Sequence, residues 1–176
     1  MSRRSSFLRR LETLESRLTP ASVFWTNPAG GAWETKTNWS TGDLPAATDD
    51  VFFFTPGGSG VVTLASVRTV RSLTVDTTPL TLTVANLGNL TVSTTNTVTS
   101  TVESGGTLTV SGEQLANVTL TGGTHNAVDF KGFTLAASSG ASKFSGAVNK
   151  TNPVDGADVM ISAGASLTLV TAAQLN

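Results

Sequence analysis

From about residue 61 the chain alternates apolar and hydroxyl side chains. The phrases are "LTLTV" (80–84), "NLTVS" (89–93), "TVTSTVE" (97–103), "GTLTVSG" (106–112), "NVTLTGG" (117–123), "GFTLAAS" (132–138) and "ASLTLV" (165–170). In the first of these Leu80, Leu82 and Val84 share one side and Thr81 and Thr83 the other. A period of two is the signature of a strand. Gly, Asn, Asp and Ser separate the phrases, as turns require. Strands recur first at about 8–10 residues and then more widely, an imperfect repeat.

Two all-β architectures produce such a pattern. A β-sandwich has short strands at this spacing. So does a parallel β-helix, or β-solenoid, in which each turn carries two or three strands. A sandwich fills its inner faces with aromatics, yet beyond residue 60 the aromatics are only Phe130, Phe133 and Phe144. The repeated Leu-Thr-Val phrases instead stack like on like, with aliphatic ladders inside and Thr ladders outside. Gly105-Gly106 and Gly122-Gly123 mark corners. A β-solenoid over residues 61–176 is therefore expected, with the sandwich as the alternative. The closing "SLTLVTAAQLN" carries no polar cap, so the chain is expected to be short or the front of a longer protein.

Residues 7–18 follow another period. Phe7, Leu8, Leu11, Leu14 and Leu18 recur at steps of three and four, one face of an amphipathic helix, which Thr19-Pro20 ends. The charge there is +3 over residues 1–20, against −4 for the remainder. Arg9, Arg10, Glu12 and Glu15 interrupt any secretory-type apolar core. The run Leu11-Glu12-Thr13-Leu14-Glu15-Ser16-Arg17, with its basic prefix and Thr19-Pro20-Ala21 after it, resembles the N-terminal leader of many planctomycete surface and extracellular proteins. That resemblance implies sorting to the cell surface or exterior. It makes Leu11, Glu12, Leu14, Glu15, Arg17 and Pro20 the leader's recognition residues, with removal near residues 20–22. The expected organisation is a leader at 1–21, a cap at 22–60 and solenoid repeats from 61.

The segment 24–54 holds all three tryptophans, Trp25, Trp33 and Trp39, among turn-forming Gly, Pro and Asp. It resembles the segment that opens many bacterial autotransporter-passenger and β-helix surface proteins. A solenoid needs an atypical terminal unit to keep its core from water, and large aromatics suit that task. The alternative is sugar stacking, with Trp25, Trp33 and Trp39 as candidate glycan-binding residues. Asp43, Asp49 and Asp50 have the oxygen chemistry of a calcium site but also the habits of turn formers.

Other chemistry is sparse. There is no Cys, which removes disulfides and thiolate metal sites. His125 is the single imidazole, in "GGTHNAVD", and reads as a surface-loop residue; with Asp129 it is half of a triad at most. Carboxylates that a polysaccharide-active β-helix enzyme would need, such as Asp76, Glu103, Asp129 and Asp158, are scattered through the body. No catalytic, cofactor or metal residue is assigned, and no cofactor is expected. A mildly acidic body argues against nucleic acid, and no apolar run reaches membrane-span length. The expected role is an exported structural or adhesion-type scaffold without catalytic activity. The expected partners are envelope polysaccharide or further copies of itself.

Overall fold

The computed structural model describes residues 20–54, 59–76, 80–131, 134–148, 158–170 and 174–175. The helix expected over 7–18, and with it Leu11, Glu12, Leu14, Glu15 and Arg17, lies outside these residues; Pro20 is exposed. No helix among the described residues is long and apolar enough to cross a membrane.

The chain winds as a parallel β-solenoid of about five turns. A cap comes first, with β1 (Ser22–Phe24), β2 (Gly30–Ala32), a 3-10 turn (Lys36–Asn38) and β3 (Asp50–Phe53). The first turn has β4 (Val61–Leu64), β5 (Val67–Val70) and β6 (Ser72–Val75), and the second β7 (Thr81–Val84), β8 (Asn89–Val92) and β9 (Thr95–Asn96). In the third, β10 (Ser100–Glu103) is followed by the long β11 (Thr107–Gln114), which bends across two faces. The fourth and fifth repeat this with β12 (Val118–Thr121) and β13 (Thr124–Phe130), then β14 (Thr134–Ser139) and β15 (Ala141–Val148). A last rung adds β16 (Asp158–Ile161), β17 (Ser166–Leu169) and β18 (Gln174–Leu175).

Every strand pairing among the described residues is parallel, which replaces the sandwich alternative. One face stacks β2-β4-β7-β10-β12-β14-β16. A second stacks β5, β8, the first halves of β11, β13 and β15, and β17. The third stacks β1, β3, β6, β9, the second halves of the same long strands, and β18.

Like does stack on like. Leu64, Val84, Val102, Leu120 and Ala137 form one buried column of the first face. Thr63, Thr83, Thr101 and Thr119 form the outward column beside it. β-Branched residues suit both sides of such a pleat. Each buried Leu or Val contributes roughly 1.5–3 kcal/mol relative to exposure. The third face runs Val23, Val51, Leu73, Asn96, Gln114, Phe130 and Val148 in register, all buried.

The glycine corners lie where the spacing places them, between β10 and β11 and between β12 and β13. Gly105 and Gly122 have φ of +80° and +88°, a region that favours glycine. Their neighbours are glycine for another reason. A Cβ on Gly106 would sit 2.5 Å from Val84 O, and one on Gly123 2.5 Å from Val102 O, the carbonyls of the rung below.

Candidate functional site

The three tryptophans point inward. Trp25 and Trp33 have no exposure and Trp39 has 2%. Trp39 lies 4.8 Å from Trp25 and 4.7 Å from Trp33 between ring centroids, and both outer rings also approach Phe53. Trp25 Nε1 donates to Asn27 O at 2.6 Å, and Trp39 Nε1 to Trp33 O at 2.8 Å. These rings belong to the same hydrophobic core as Val62 and Leu64 of the first turn. Expecting a sugar to stack on Trp25, Trp33 or Trp39 is corrected by this burial, since no indole face is open. Area drives the choice, because a buried indole removes more apolar surface from water than any other side chain.

Alternation sends their neighbours outward. In β1 and β3, Val23, Val51 and Phe53 turn in, so Phe24 and Phe52 turn out, followed by Phe54. Phe24 and Phe52 are register partners whose rings stack at 5.2 Å with planes 23° apart. Phe24 is 38% exposed and Phe54 45%. With Thr74, Val75 and Asp76 they line an open cleft of about 360 Å³. These are the outward-facing aromatic rings among the described residues, where Phe53, Phe130, Phe144 and the tryptophans are buried, and contiguous exposed apolar patches mark contact sites. The Thr74 hydroxyl and Asp76 carboxylate add polar edges to an aromatic floor, the usual composition of a ligand cleft. These phenylalanines escaped the sequence reading, although the phase set by Val23 and Val51 would have found them.

The three candidate calcium carboxylates are otherwise engaged. Asp43 is 2.8 Å from Lys36 Nζ, and that hydrogen bond, with the one from Leu44 N–H, holds its carboxyl below the usual range. Asp49 accepts from Ala46 N–H at 2.8 Å and Ala21 N–H at 3.3 Å, closing a turn. Burial pushes Asp50 up, but hydrogen bonds from Ser72 (2.5 Å) and Arg71 outweigh it and the net shift is downward. No group of three or more metal-type ligands occurs among the described residues.

His125 is not a surface-loop residue. It lies on β13, fully buried, in the column Leu90, Leu108, His125, Phe144. Its ring packs against Phe130 and Phe144 at 6.1 and 5.7 Å. Nδ1 is 3.1 Å from Leu108 O, so Nδ1 carries the hydrogen, and Nε2 has no hydrogen-bond partner. Burial lowers the pKa to about 4, opposed by the Leu108 carbonyl, so the imidazole is neutral at pH 7. Asp129 instead meets Lys131 Nζ at 3.1 Å on the third face, so the His125–Asp129 pairing does not form.

That lysine also meets Glu113 at 2.5 Å, and Glu113 and Asp129 are register partners on successive rungs. The hydrogen bonds to Glu113 and then Asp129 raise the lysine's pKa, so it stays charged and ties the two rungs together. Of the scattered acids, Asp76 and Asp129 lie on the third face with the rungs of β9 and β11 between them. Glu103 and Asp158 lie on the first face with β12 and β14 between them. No family model, curated protein or solved structure matches this chain.

Proposed function

We propose that this chain is an exported, non-catalytic scaffold, a stiff β-solenoid segment of the cell surface. The observation that carries this reading is the unbroken stacking of equivalent positions, with Leu64 to Ala137 inside and Thr63 to Thr119 outside. Such a column supplies length and rigidity, and each rung depends only on its neighbours. The resemblance of the leader supports export. Labelling intact cells with a membrane-impermeant amine reagent tests it. Label is expected on Lys36, whose side chain is 63% exposed. Labelling only after lysis would overturn export.

A second reading is carbohydrate contact through the outer face of the cap, favoured by the cleft of Phe24, Phe52 and Phe54 beside Thr74 and Asp76. Envelope polysaccharide is the ligand class, with ring faces of sugars on the phenyl groups and hydroxyls on Asp76. Calorimetric titration with envelope polysaccharide should show binding that Phe24→Ala and Phe54→Ala each weaken at least tenfold. Equal binding by wild type and variants would remove this reading.

A further inference from the structure

The cleft on the outer face of the cap joins two kinds of group that favour the same ligand chemistry. Its floor is phenyl: Phe24 stacks on Phe52 at 5.2 Å, and Phe54 follows on the outward side of the same chain segment. Its edge is the carboxylate of Asp76. Asp76 stands one residue past Val75, which pairs in register with Phe53, so it lies beside Phe54; its N–H donates to Phe53 O at 3.5 Å. The face of an aromatic ring is negative and attracts cations. An ionised carboxylate accepts hydrogen bonds and carries a full negative charge. Floor and edge therefore both select a cationic donor.

No described side chain supplies that cation. Asp76 forms no ion pair with a described residue. Lys36 is held by Asp43, and Lys131 by Glu113 and Asp129. Arg71 stands at the opposite end of β6 and pairs with Asp50, which also takes a hydrogen bond from Ser72. Arg68 Nε donates to Ser66 Oγ at 3.2 Å on the second face, and Lys143 belongs to that face as well. The sequence adjoining the cleft, residues 55–60 and 77–82, contains no charged residue of either sign.

We infer that the cleft recognises an amino sugar, a hexose unit with a free, protonated amine, within an envelope polysaccharide. This rests on the carbohydrate reading above and names the sugar class. The C–H face of the sugar ring covers Phe24 and Phe52, and the ammonium reaches Asp76 past Phe54. A hydrogen bond between two ionised groups is about twice as strong as a neutral one, so the ammonium outcompetes a hydroxyl for Asp76. An N-acetylated unit offers the same ring face without the charge. A uronic acid unit sets a second carboxylate against Asp76 and is rejected. The net charge of −4 beyond residue 20 acts in the same direction at longer range.

The test is calorimetric titration of the full chain, at mildly acid pH where sugar amines are protonated. The probes are oligomers of glucosamine, of N-acetylglucosamine and of glucose, matched in length. Glucosamine oligomers should bind at least about tenfold tighter than the other two, the ratio expected when a hydrogen bond gains a full charge. Asp76→Asn, at an exposed position, should leave the circular dichroism spectrum unchanged. It should reduce glucosamine binding to the level of the acetylated sugar and leave the two neutral sugars as they were. Glu103→Gln removes the same charge from the first face, away from the cleft, and should keep the preference. Equal affinity of the wild type for all three sugars would overturn the inference and leave the carbohydrate reading standing. Binding of none of them would remove that reading, and the inference with it. A preference that survives Asp76→Asn, or that Glu103→Gln erases equally, would overturn the assignment of the ammonium to Asp76.

Discussion

Asn96 Nδ2 donates to Gln114 Oε1 across 2.9 Å inside the solenoid, and neither residue has any exposure. The pair also serves the backbone: Asn96 Oδ1 accepts from Val98 N–H at 2.9 Å, and Gln114 Nε2 donates to Ala116 O at 3.0 Å. Both amides thus hold the bend into the next rung of the first face. Asn96→Leu would leave Gln114 Oε1 and Val98 N–H without these partners. A loss of about 2–6 kcal/mol in urea unfolding is expected, built from two unmet polar groups at roughly 1–3 kcal/mol each. Adding Gln114→Leu should cost less than its single effect, because the two residues share one interaction.

His125 makes stability depend on pH. Its folded pKa of about 4 lies below the unfolded value of 6.5, so the unfolded chain takes up the proton first as pH falls. Stability is full above pH 6.5 and declines toward pH 4, at up to ~1.4 kcal/mol per pH unit and about 3 kcal/mol in total. Asp43 and Asp50 act in the same direction, but their folded values are depressed below 3.8, so their contributions are lost at more acid pH. His125→Leu, which repeats the residue at 108, should flatten the curve between pH 6.5 and 4. An unchanged slope in that variant would assign the titration to another group.

The tryptophan plug predicts a spectroscopic signature. All three indoles are buried, so emission should be that of an apolar environment, with little quenching by acrylamide. Trp39→Ala should lose roughly 3–5 kcal/mol, the usual cost of truncating a buried aromatic. Phe24→Ala and Phe54→Ala, at exposed positions, should stay within about 0.5 kcal/mol of wild type. Loss of polysaccharide binding in those two variants would therefore report contact rather than unfolding. Wild-type emission that shifted strongly with polysaccharide would instead mean that an indole is accessible.

Much of this architecture was legible from period-two phrasing and from glycine placement. Aliphatic repeats of one kind pointed to stacking rather than to two facing sheets, and Gly105-Gly106 and Gly122-Gly123 fell at corners. Side-chain partnerships between rungs were not legible. The step between stacked residues drifts from 20 (Val62 to Leu82) to 18 (Leu82 to Ser100) and 17 (Val118 to Leu135), so register is not readable from one chain. Asp129 therefore looked scattered, although Lys131 joins it to Glu113 on the neighbouring rung. His125 was misplaced because the glycines before it suggested a loop, whereas they form the corner and β13 starts directly after them. The aromatic cleft was missed because the tryptophans drew attention to the segment, while the strand's phase buried them and exposed Phe24 and Phe52.

A scaffold made of equivalent rungs should survive the loss of one. Deleting residues 118–134 joins Asn117 to Leu135, the residue that stacks in register on Val118. The most direct measurement is small-angle scattering of this deletion beside wild type, with unfolding followed in parallel. A folded, cooperative protein shorter by one rung spacing, about 4.8 Å, is the predicted result. An unfolded or collapsed chain would contradict the claim that the rungs are interchangeable structural units.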